Sequence, residues 1–427
     1  MSRFQVAAGR TFHSLRVRNY RLYFFGQTVS LTGTWMQSVA QAWLVLKLTG
    51  SGFAVGLVTG LQFLPILLLG SWGGLIADRT DKRRVLLVTQ SLAALLALTL
   101  GLLVALDAVR LWMVYALAAA LGLVTVVDMP TRQSFVIEMV GPEDLTNAVS
   151  LNTVIVNASR VVGPAVAGIL IATVGTAVCF LINAASYPAV ILGLALMRAG
   201  ELHRQAPVPR SKGQVREGFR YVLARPELRT PLLLMAVAGT LAYNFSILIP
   251  LMTQFVFHAG AGAYGVLFSL MGTGAVIGGL VIAGRRASPR VLVASVLAFG
   301  AMVVLAGVAP SLAVEMIVML PLGAASTGFI SNSNALLQLG SSLEMRGRVM
   351  ALFSVVFVGS TPVGGPLVGW IAERFGPRTS LTLAGAATLL AGLLVAATRR
   401  RRSGGAVIEV PTDRHSAEER EGGRQAS

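Results

Sequence analysis

A few polar and charged side chains interrupt long apolar stretches of this sequence, and they are the residues whose types and spacing could do chemistry. Asp128 and Arg132 are four residues apart, which places them on one helical face where they could form an ion pair. Arg160 is the one basic residue inside an apolar run, where a cation costs about 2.5 to 3.5 kcal/mol on insertion scales. Arg160 should therefore meet water, an acid or an anionic ligand, or else be a structural arginine held by backbone carbonyls or by Asp128.

The sequence lacks the residue patterns that enzymatic catalysis or metal binding would need. No paired carboxylates and no nucleophile with a neighbouring base occur at usable spacing. The dipeptide Gly-Lys never occurs, which excludes a P-loop, and the single cysteine, Cys179, excludes a disulfide within the chain. We therefore expect no enzyme activity, metal or cofactor. The histidines are too scattered for a metal site and are His13, His203, His258 and His415.

Polar residues also form a stripe on the first apolar segment. At 100° per residue they fall within a sector of about 100°, so one face of this helix is polar. Such a face must look towards a cavity or other helices, because amide groups facing lipid would be unsatisfied. We favour cavity lining over hydrogen bonding between helices, because the stripe is longer than packing alone needs. Its members are Gln27, Ser30, Thr34, Gln37, Ser38 and Gln41.

A second polar face precedes a small-residue bend. Asn152, Thr153, Asn157 and Arg160 share a sector of about 140°, and we expect Asn152 and Asn157 to line the same cavity. A glycine- and proline-containing bend follows, at which another helix can approach closely. The bend consists of Gly163, Pro164 and Gly168, and the cavity candidates of the second half of the chain are Tyr243, Asn244 and Asn332.

The composition is that of a polytopic membrane protein. Of 427 residues, 55% are hydrophobic and 12% are charged, whereas soluble domains typically have about 25% charged residues. Twelve apolar runs are each near or above the length that crosses a bilayer. These predicted spans are residues 23–46, 53–77, 85–106, 111–127, 145–174, 177–197, 231–257, 264–283, 291–308, 312–338, 350–371 and 380–397.

The basic residues are distributed unequally between the two sides of the membrane. Most of the 35 Lys and Arg residues lie in segments on one side, which predicts that both termini are cytoplasmic. The formal net charge of +17 therefore reflects topology and attraction to anionic lipid head groups, and does not indicate nucleic acid binding. Two acids lie near predicted span ends: Glu315 is expected to be an interfacial carboxylate, and Glu373 a solvated charge at the end of its helix.

The spans divide into two similar sets of six. A Gly-Gly pair followed by a basic turn occurs at Gly73 and Gly74 and again at Gly278 and Gly279, and a Gly-Pro pair repeats likewise in the eleventh span. Such repeats are typical of transporters with the substrate site between the halves. The predicted organisation is a cytoplasmic arm (1–21), a six-helix bundle (22–198), a cytoplasmic linker (199–229), a second six-helix bundle (230–398) and a disordered cytoplasmic tail (399–427).

The turn between spans 2 and 3, residues 73–84, reads GGLIADRTDKRR. It resembles the signature loop of the major facilitator superfamily, with twelve helices in two pseudo-symmetric bundles. The segments NYRLYFFGQTVSLTGTWMQSVAQAWLVLKLTGS, DMPTRQS and RVVGPAVAG resemble the bacterial branch that includes the enterobactin exporter and macrolide-efflux-like proteins. The resemblance implies a monomeric, multi-pass transporter of the bacterial inner membrane, exporting small organic molecules such as siderophores or drugs by proton-coupled alternating access.

The resemblance also implies roles for particular residues. Asp78 would latch the two halves together on the cytoplasmic side, near residues 347–350, and Arg79, Arg83 and Arg84 would complete that network. Asp128, Arg132 and Arg160 are the candidates for coupling, although Asp128 could be purely a gate residue. The Gly163 bend resembles an antiporter motif and favours export.

One departure bears on coupling. Thr34 stands where many members of this branch carry an acid, which leaves an importer or an uncoupled facilitator as alternatives. A membrane adaptor or sensor that does not transport is a further alternative, although it would not need the polar helical faces.

Overall fold

A computed structural model describes residues 12–203 and 214–404, and within these ranges the chain consists of helices and turns without strands. Short 3₁₀ helices at His13–Arg16 and Ala199–Glu201 and a π-helix at Met252–Val256 accompany the α-helices. The α-helices are α1 (Arg18–Thr49), α2 (Gly52–Arg79), α3 (Lys82–Ala105), α4 (Leu111–Thr173), α5 (Thr176–Ala195), α6 (Gln214–Leu223), α7 (Pro226–Leu241), α8 (Phe245–Leu251), α9 (Ala261–Ala283), α10 (Pro289–Val308), α11 (Leu312–Gly340), α12 (Leu343–Gly359), α13 (Thr361–Phe375) and α14 (Pro377–Gly404).

The membrane spans agree with the sequence prediction of an all-α integral membrane fold. By length and hydropathy, 10 helical segments of the described residues can cross a membrane. The 63-residue α4 breaks at Gly141, whose φ of 74° favours glycine, directly before Pro142. The number of spans is consistent with twelve when the two parts of α4 are counted separately and the polar, 32-residue α1 is included.

Four of the described helices, α2, α3, α10 and α11, follow residues whose side chains cap them. Asp81 accepts a hydrogen bond from the Arg84 N–H at 3.1 Å, as its position predicts, and Ser51 caps α2 through the Ala54 N–H. Ser288 and Ser311 cap α10 and α11 in the same way. These caps allow short turns, so consecutive helices run up and down next to each other.

The two halves, α1–α5 and α7–α14, repeat one packing scheme. A Cβ atom added at Gly73 would overlap the backbone of Val126 in α4, and one added at Gly278 would overlap the backbone of Ala324 in α11. The second and fourth spans of each half therefore approach at backbone distance, which only glycine permits. The predicted internal repeat thus has a structural counterpart.

Several predicted boundaries differ from the helices. Predicted spans 7 and 11 are interrupted, at residues 242–244 and at Ser360, and α14 continues to Gly404, beyond the predicted boundary at 398. Part of the predicted arm is packed, since the Ser14 hydroxyl donates to Asn147 at 2.7 Å and α1 begins at Arg18. The rest of the arm (1–11), the middle of the linker (204–213) and most of the tail (405–427) lie outside the described residues.

Candidate functional site

The bundle has two ends that differ in charge and in how the halves meet. The basic end carries the turns at residues 80–81, 284–288 and 341–342, and the opposite end carries those at 50–51, 106–110, 174–175, 309–311 and 376. The halves meet along two lines of contact, α2 on α13 and the part of α4 after Gly141 on α9. We call these two lines the seam.

Towards the opposite end, the seam is made of backbone against backbone. A Cβ atom at Gly56 would overlap the carbonyl of Gly365, and one at Gly265 would lie 2.6 Å from the carbonyl oxygen of Pro164 and 2.7 Å from Cα of Gly168. No larger side chain fits at this separation. The predicted bend at Gly163, Pro164 and Gly168 therefore does admit a neighbouring helix at close range; Gly163 packs on α1, against Trp35 and the Thr32 carbonyl.

A carboxylate closes the same end of the seam. Glu373, in the last turn of α13, accepts hydrogen bonds from the Ser51 hydroxyl at 2.5 Å and from the Phe53 N–H at 3.0 Å. These donors belong to the first turn of α2 in the other half, where N–H groups lack helical partners and the helix dipole favours an anion. Glu373 is exposed, as expected for an end charge, but its role as a cap across the seam is not foreseeable from its own sequence neighbourhood.

Aromatic rings and one hydroxyl extend the seam to the middle of the bundle. Trp43 of α1 stacks on Tyr264 of α9 with ring centroids 5.9 Å apart, and Trp35 packs on Phe268 at 6.3 Å. The Ser269 hydroxyl donates to the Val161 carbonyl at 2.9 Å. The halves are therefore in continuous contact from the opposite end to the level of Arg160.

Towards the basic end the halves diverge. Helix α2 packs chiefly on α13. It makes only slight contact with α12, the helix that leads into α13 from the basic end. A Cβ atom at Gly279 would contact only Thr327 of its own half, and one at Gly347 would meet open space. The halves are therefore in close contact at the opposite end and less so at the basic end.

Arg160 lies where the close contact between the two halves ends. Its guanidinium carbon is 5.7 Å from the centroid of the Trp35 ring, a cation–π contact, and its backbone carbonyl lies against Gly272. Its Nε is buried and has no hydrogen-bond partner among the described residues. Asp128 is not the acid that compensates this charge, because both Asp128 oxygens bond elsewhere.

Asp128 belongs to a hydrogen-bonded network within the N-terminal half. Its Oδ1 accepts from Thr89 at 2.8 Å and from Gln90 at 2.7 Å, and its Oδ2 pairs with Arg132 at 2.5 Å. Arg132 also donates to the side-chain oxygen of Gln27. The predicted Asp128–Arg132 pair is thus present, and it joins α1, α3 and α4.

We predicted that the polar stripe of α1 lines a cavity, and this prediction is wrong for the three glutamines of the stripe. Gln27, Gln37 and Gln41 are buried, because each reaches a polar side chain of another helix. Gln37 accepts from Asn183 at 2.6 Å, and Gln41 reaches Gln62 at 3.5 Å. Thr34, in contrast, is exposed, and its hydroxyl donates to the Ser30 carbonyl within α1. The glutamines therefore hold the N-terminal half together.

The other cavity candidates separate into two groups. Asn152 and Asn157 are half-buried on the face of α4 that leads to Arg160. Tyr243 donates to the Ser326 carbonyl at 2.6 Å. Two asparagines hold local backbone instead: Asn244 is buried and bonds the Thr240 carbonyl, and Asn332 bonds the backbone of Ser288.

The basic loop is likewise held by its own half. Gly73 and Gly74 are buried and Arg79 is exposed. Arg83 donates to the Leu194 and Ala195 carbonyls at the end of α5, each at 2.7 Å, so it caps that helix. The Arg84 side chain is at the edge of a 470 Å³ crevice between α3 and α4, and the neighbouring Lys82 pairs with Glu138 at 2.6 Å.

Two similar helical halves in close contact at one end of the bundle form the fold of an alternating-access membrane transporter. A family model described as "Transmembrane secretion effector" matches residues 9–419. The chain belongs to this family, a branch of the major facilitator superfamily of transporters, and is not an enzyme.

Characterised relatives are similar along most of their length. The chain is 26% identical to the staphyloferrin A transporter of Staphylococcus aureus, over 86% of this chain and 93% of that protein. It is 25% identical to the multidrug efflux pump Tap of Mycolicibacterium fortuitum (87% and 94%) and 24% identical to an enterobactin exporter of Shigella boydii (88% and 90%). Among solved structures, a bacterial homologue of the lysosomal transporter Spinster is 14% identical, with a TM-score of 0.72 over 90% of this chain and 97% of that one.

Proposed function

We propose that this protein exports small acidic organic molecules from the bacterial cytoplasm in exchange for protons. The observation that carries the proposal is Arg160, a cation with a buried, unpartnered Nε between the two halves. A cation in such a position needs a counter-charge, and a bound anion supplies one. The named substrates of the siderophore-transporting relatives suggest acidic, metal-chelating compounds.

The basic end is assigned to the cytoplasm, following the positive-inside rule. Both termini are then cytoplasmic, the protein is a monomer in the inner membrane, and the predicted cavity opens inwards. Substrate enters from the cytoplasm along the half-buried face of Asn152 and Asn157 and meets Arg160 beside Trp35. Tyr243 and exposed Thr34 complete the polar lining.

Export requires the seam to open and the cytoplasmic side to close. In the closed cytoplasmic state Asp78, with Arg79, meets the start of α12 near Gly347, where the present conformation leaves open space. Asp128 and Arg132 hold α1, α3 and α4 together so that these helices move as one body, because their bonds stay within one half. Anionic lipid head groups contact the basic loop around Arg84.

The experiment uses purified protein in liposomes with an imposed pH gradient, a lumenal pH dye, and a panel of siderophores and lipophilic drugs. We expect acidic siderophores to cause proton flux. Arg160→Gln should reduce that flux by about 10- to 100-fold, as expected when a charge-assisted contact worth about 1.5 to 3 kcal/mol is lost. Arg160→Lys, which keeps the charge, should retain part of it. Undiminished flux in Arg160→Gln would contradict the proposal.

An uncoupled facilitator is the second candidate, and Thr34 in place of an acid favours it. Compound movement without proton flux in the same liposomes would support this candidate. Import would appear as accumulation in the opposite direction under the same gradient.

A further inference from the structure

A buried acid in the C-terminal half is not used by the site described above. Glu315 lies in the first turn of α11, near the helix end where an interfacial carboxylate is expected, but it is buried in the protein, with 1% of its surface exposed. Its Oε2 is buried and has no hydrogen-bond partner in the described part of the chain. Burying an acid without a partner is costly, and inside a membrane protein this arrangement is a mark of function.

A positive charge lies near the start of α11. Arg378, in the first turn of α14, lies against Gly307 at the end of α10, just before the turn that leads into α11. It is held only loosely, since it donates to the Gly307 carbonyl at 3.5 Å and lies 5.9 Å from the centroid of the Phe257 ring. Neighbouring α10 ends in the uncharged residues Gly307 and Val308.

The remaining ionisable groups near this end of the C-terminal half have other surroundings. Tyr264, in the first turn of α9, stacks on Trp43 of the other half. His258 precedes α9 and is exposed. Neither replaces Arg378 as a partner for the acid.

Two opposing influences therefore act on the charge of Glu315. Burial disfavours the carboxylate, whereas the helix start and the Arg378 cation favour it. A proton and the Arg378 cation can therefore each balance the charge of this carboxylate. A change in how α14 packs on α10 would move Arg378 and alter which of them does so.

We propose that Glu315 is the proton-binding carboxylate of this transporter, protonated in the inward-open conformation and paired with Arg378 once the proton leaves. The assignment deepens the proposed function, and its coupling to export rests on that function. The first span has Thr34 where many related proteins carry an acid, and Glu315 supplies an acid elsewhere. Glu315 lies in the C-terminal half, whereas Asp128 lies in the N-terminal half.

The packing of α11 connects this site to the seam. A Cβ atom at Gly323 would overlap the Met271 carbonyl of α9, and one at Gly274 would overlap the Leu320 carbonyl of α11. Helices in backbone contact move together. Helix α9 itself forms the seam through Gly265 and Gly272. Helix α10 packs on both α11 and α14, so a change in how α14 packs on α10 can reach the contact between the halves through α11 and α9.

The direct test is infrared difference spectroscopy of the purified protein in liposomes during a pH titration without substrate. We expect a reversible carbonyl band of a buried protonated carboxyl group that is lost in Glu315→Gln and kept in Asp128→Asn. Arg378→Gln should move the titration midpoint of this band to higher pH, because removing a nearby cation destabilises the carboxylate. Arg378→Lys should restore the wild-type midpoint. Persistence of the band in Glu315→Gln, or its absence from the wild type, would overturn the assignment.

Two further measurements distinguish a failure of the Glu315 assignment from misfolding of the variant and from a failure of the proposed function. If Glu315→Gln does not fold, Glu315→Asp takes its place and should shift the frequency of the band. In the export assay, Glu315→Gln should still exchange a siderophore across the membrane without a gradient but should lose accumulation driven by the pH gradient. Gradient-driven export that survives in Glu315→Gln would refute the assignment alone, whereas a wild type that exports nothing would refute the proposed function alone.

Discussion

The two ends of the bundle are held by different kinds of contact. At the opposite end, glycines bring the backbones of the two halves together, and Glu373 of one half caps a helix of the other. At the basic end, Asp128, Arg132, Arg83 and Lys82 bond only within their own half. The comparison suggests that side-chain networks make each half rigid, while the contacts across the seam are specific to one conformation and able to break.

Loss of Asp128 should give the largest effect, and it should act on stability alone. Asp128→Ala leaves Arg132, Thr89 and Gln90 without their acceptor, and breaking a buried pair typically costs about 3 to 5 kcal/mol. We expect a clearly lower melting temperature in detergent with unchanged resting distances across the seam. Thr153→Ala is the matched control on α4, because its hydroxyl bonds only the Val149 carbonyl of its own helix. Altered resting distances across the seam in Asp128→Ala would contradict the view that the two ends of the bundle have different roles.

Filling the seam should act on conformation instead. Gly265→Leu cannot be accommodated against Pro164 and Gly168, and overpacking costs about 1 to 3 kcal/mol in the closed seam only. The population with an open seam should rise by about 5- to 100-fold, measured as reactivity of an engineered seam cysteine with a membrane-impermeant thiol reagent. Gly262→Leu on the same helix has no atom within 4 Å of its added Cβ and should leave reactivity unchanged. Equal effects of the two variants would contradict backbone closure.

Removing the cap across the seam should have a smaller effect in the same direction. Glu373→Ala deprives the Phe53 N–H of its acceptor, and a lost helix cap costs about 1 kcal/mol. The same thiol assay should show the open seam about fivefold more often. Glu373→Gln keeps an acceptor oxygen and should lie between the alanine variant and the wild type. Wild-type reactivity in Glu373→Ala would remove Glu373 from the closing mechanism.

The smallest effect is expected at Gly347. A Cβ atom there meets open space, so Gly347→Ala should leave the inward-open conformation unchanged. It should, however, slow transport modestly if Asp78 meets this backbone when the cytoplasmic side closes. Rates of siderophore exchange in liposomes, compared with an equally exposed variant, Ser354→Ala, check this expectation.

Residues with local roles could be predicted from the sequence. Asp81 caps the next helix, and Asp128 pairs with Arg132, because both interactions are fixed by spacing along one helix or turn. The close approach of Gly73 and the repeat at Gly278 were also predictable, since paired glycines in membrane helices have few other uses.

Roles that depend on a distant helix could not be predicted. Whether Gln37 faces a cavity or another helix depends on Asn183, which lies in a different span. Glu373 faces Ser51 only after the halves assemble, and burial of Glu315 depends on how α10, α11 and α14 pack. A helical wheel identifies a polar face but not what that face contacts.

The central claim is that the halves separate at the opposite end as they close at the basic end, and pulsed electron spin resonance distances test it most directly. Cys179 is the only cysteine, so a Cys179→Ser background carries spin-label pairs at exposed positions, Lys47 with His258 for the opposite end and Thr80 with Glu344 for the basic end. We predict a short first distance and a long second one at rest, with both changing in opposite directions when Gly265→Leu is added. Distances that stay fixed, or that change at one end only, would contradict alternating access about this seam.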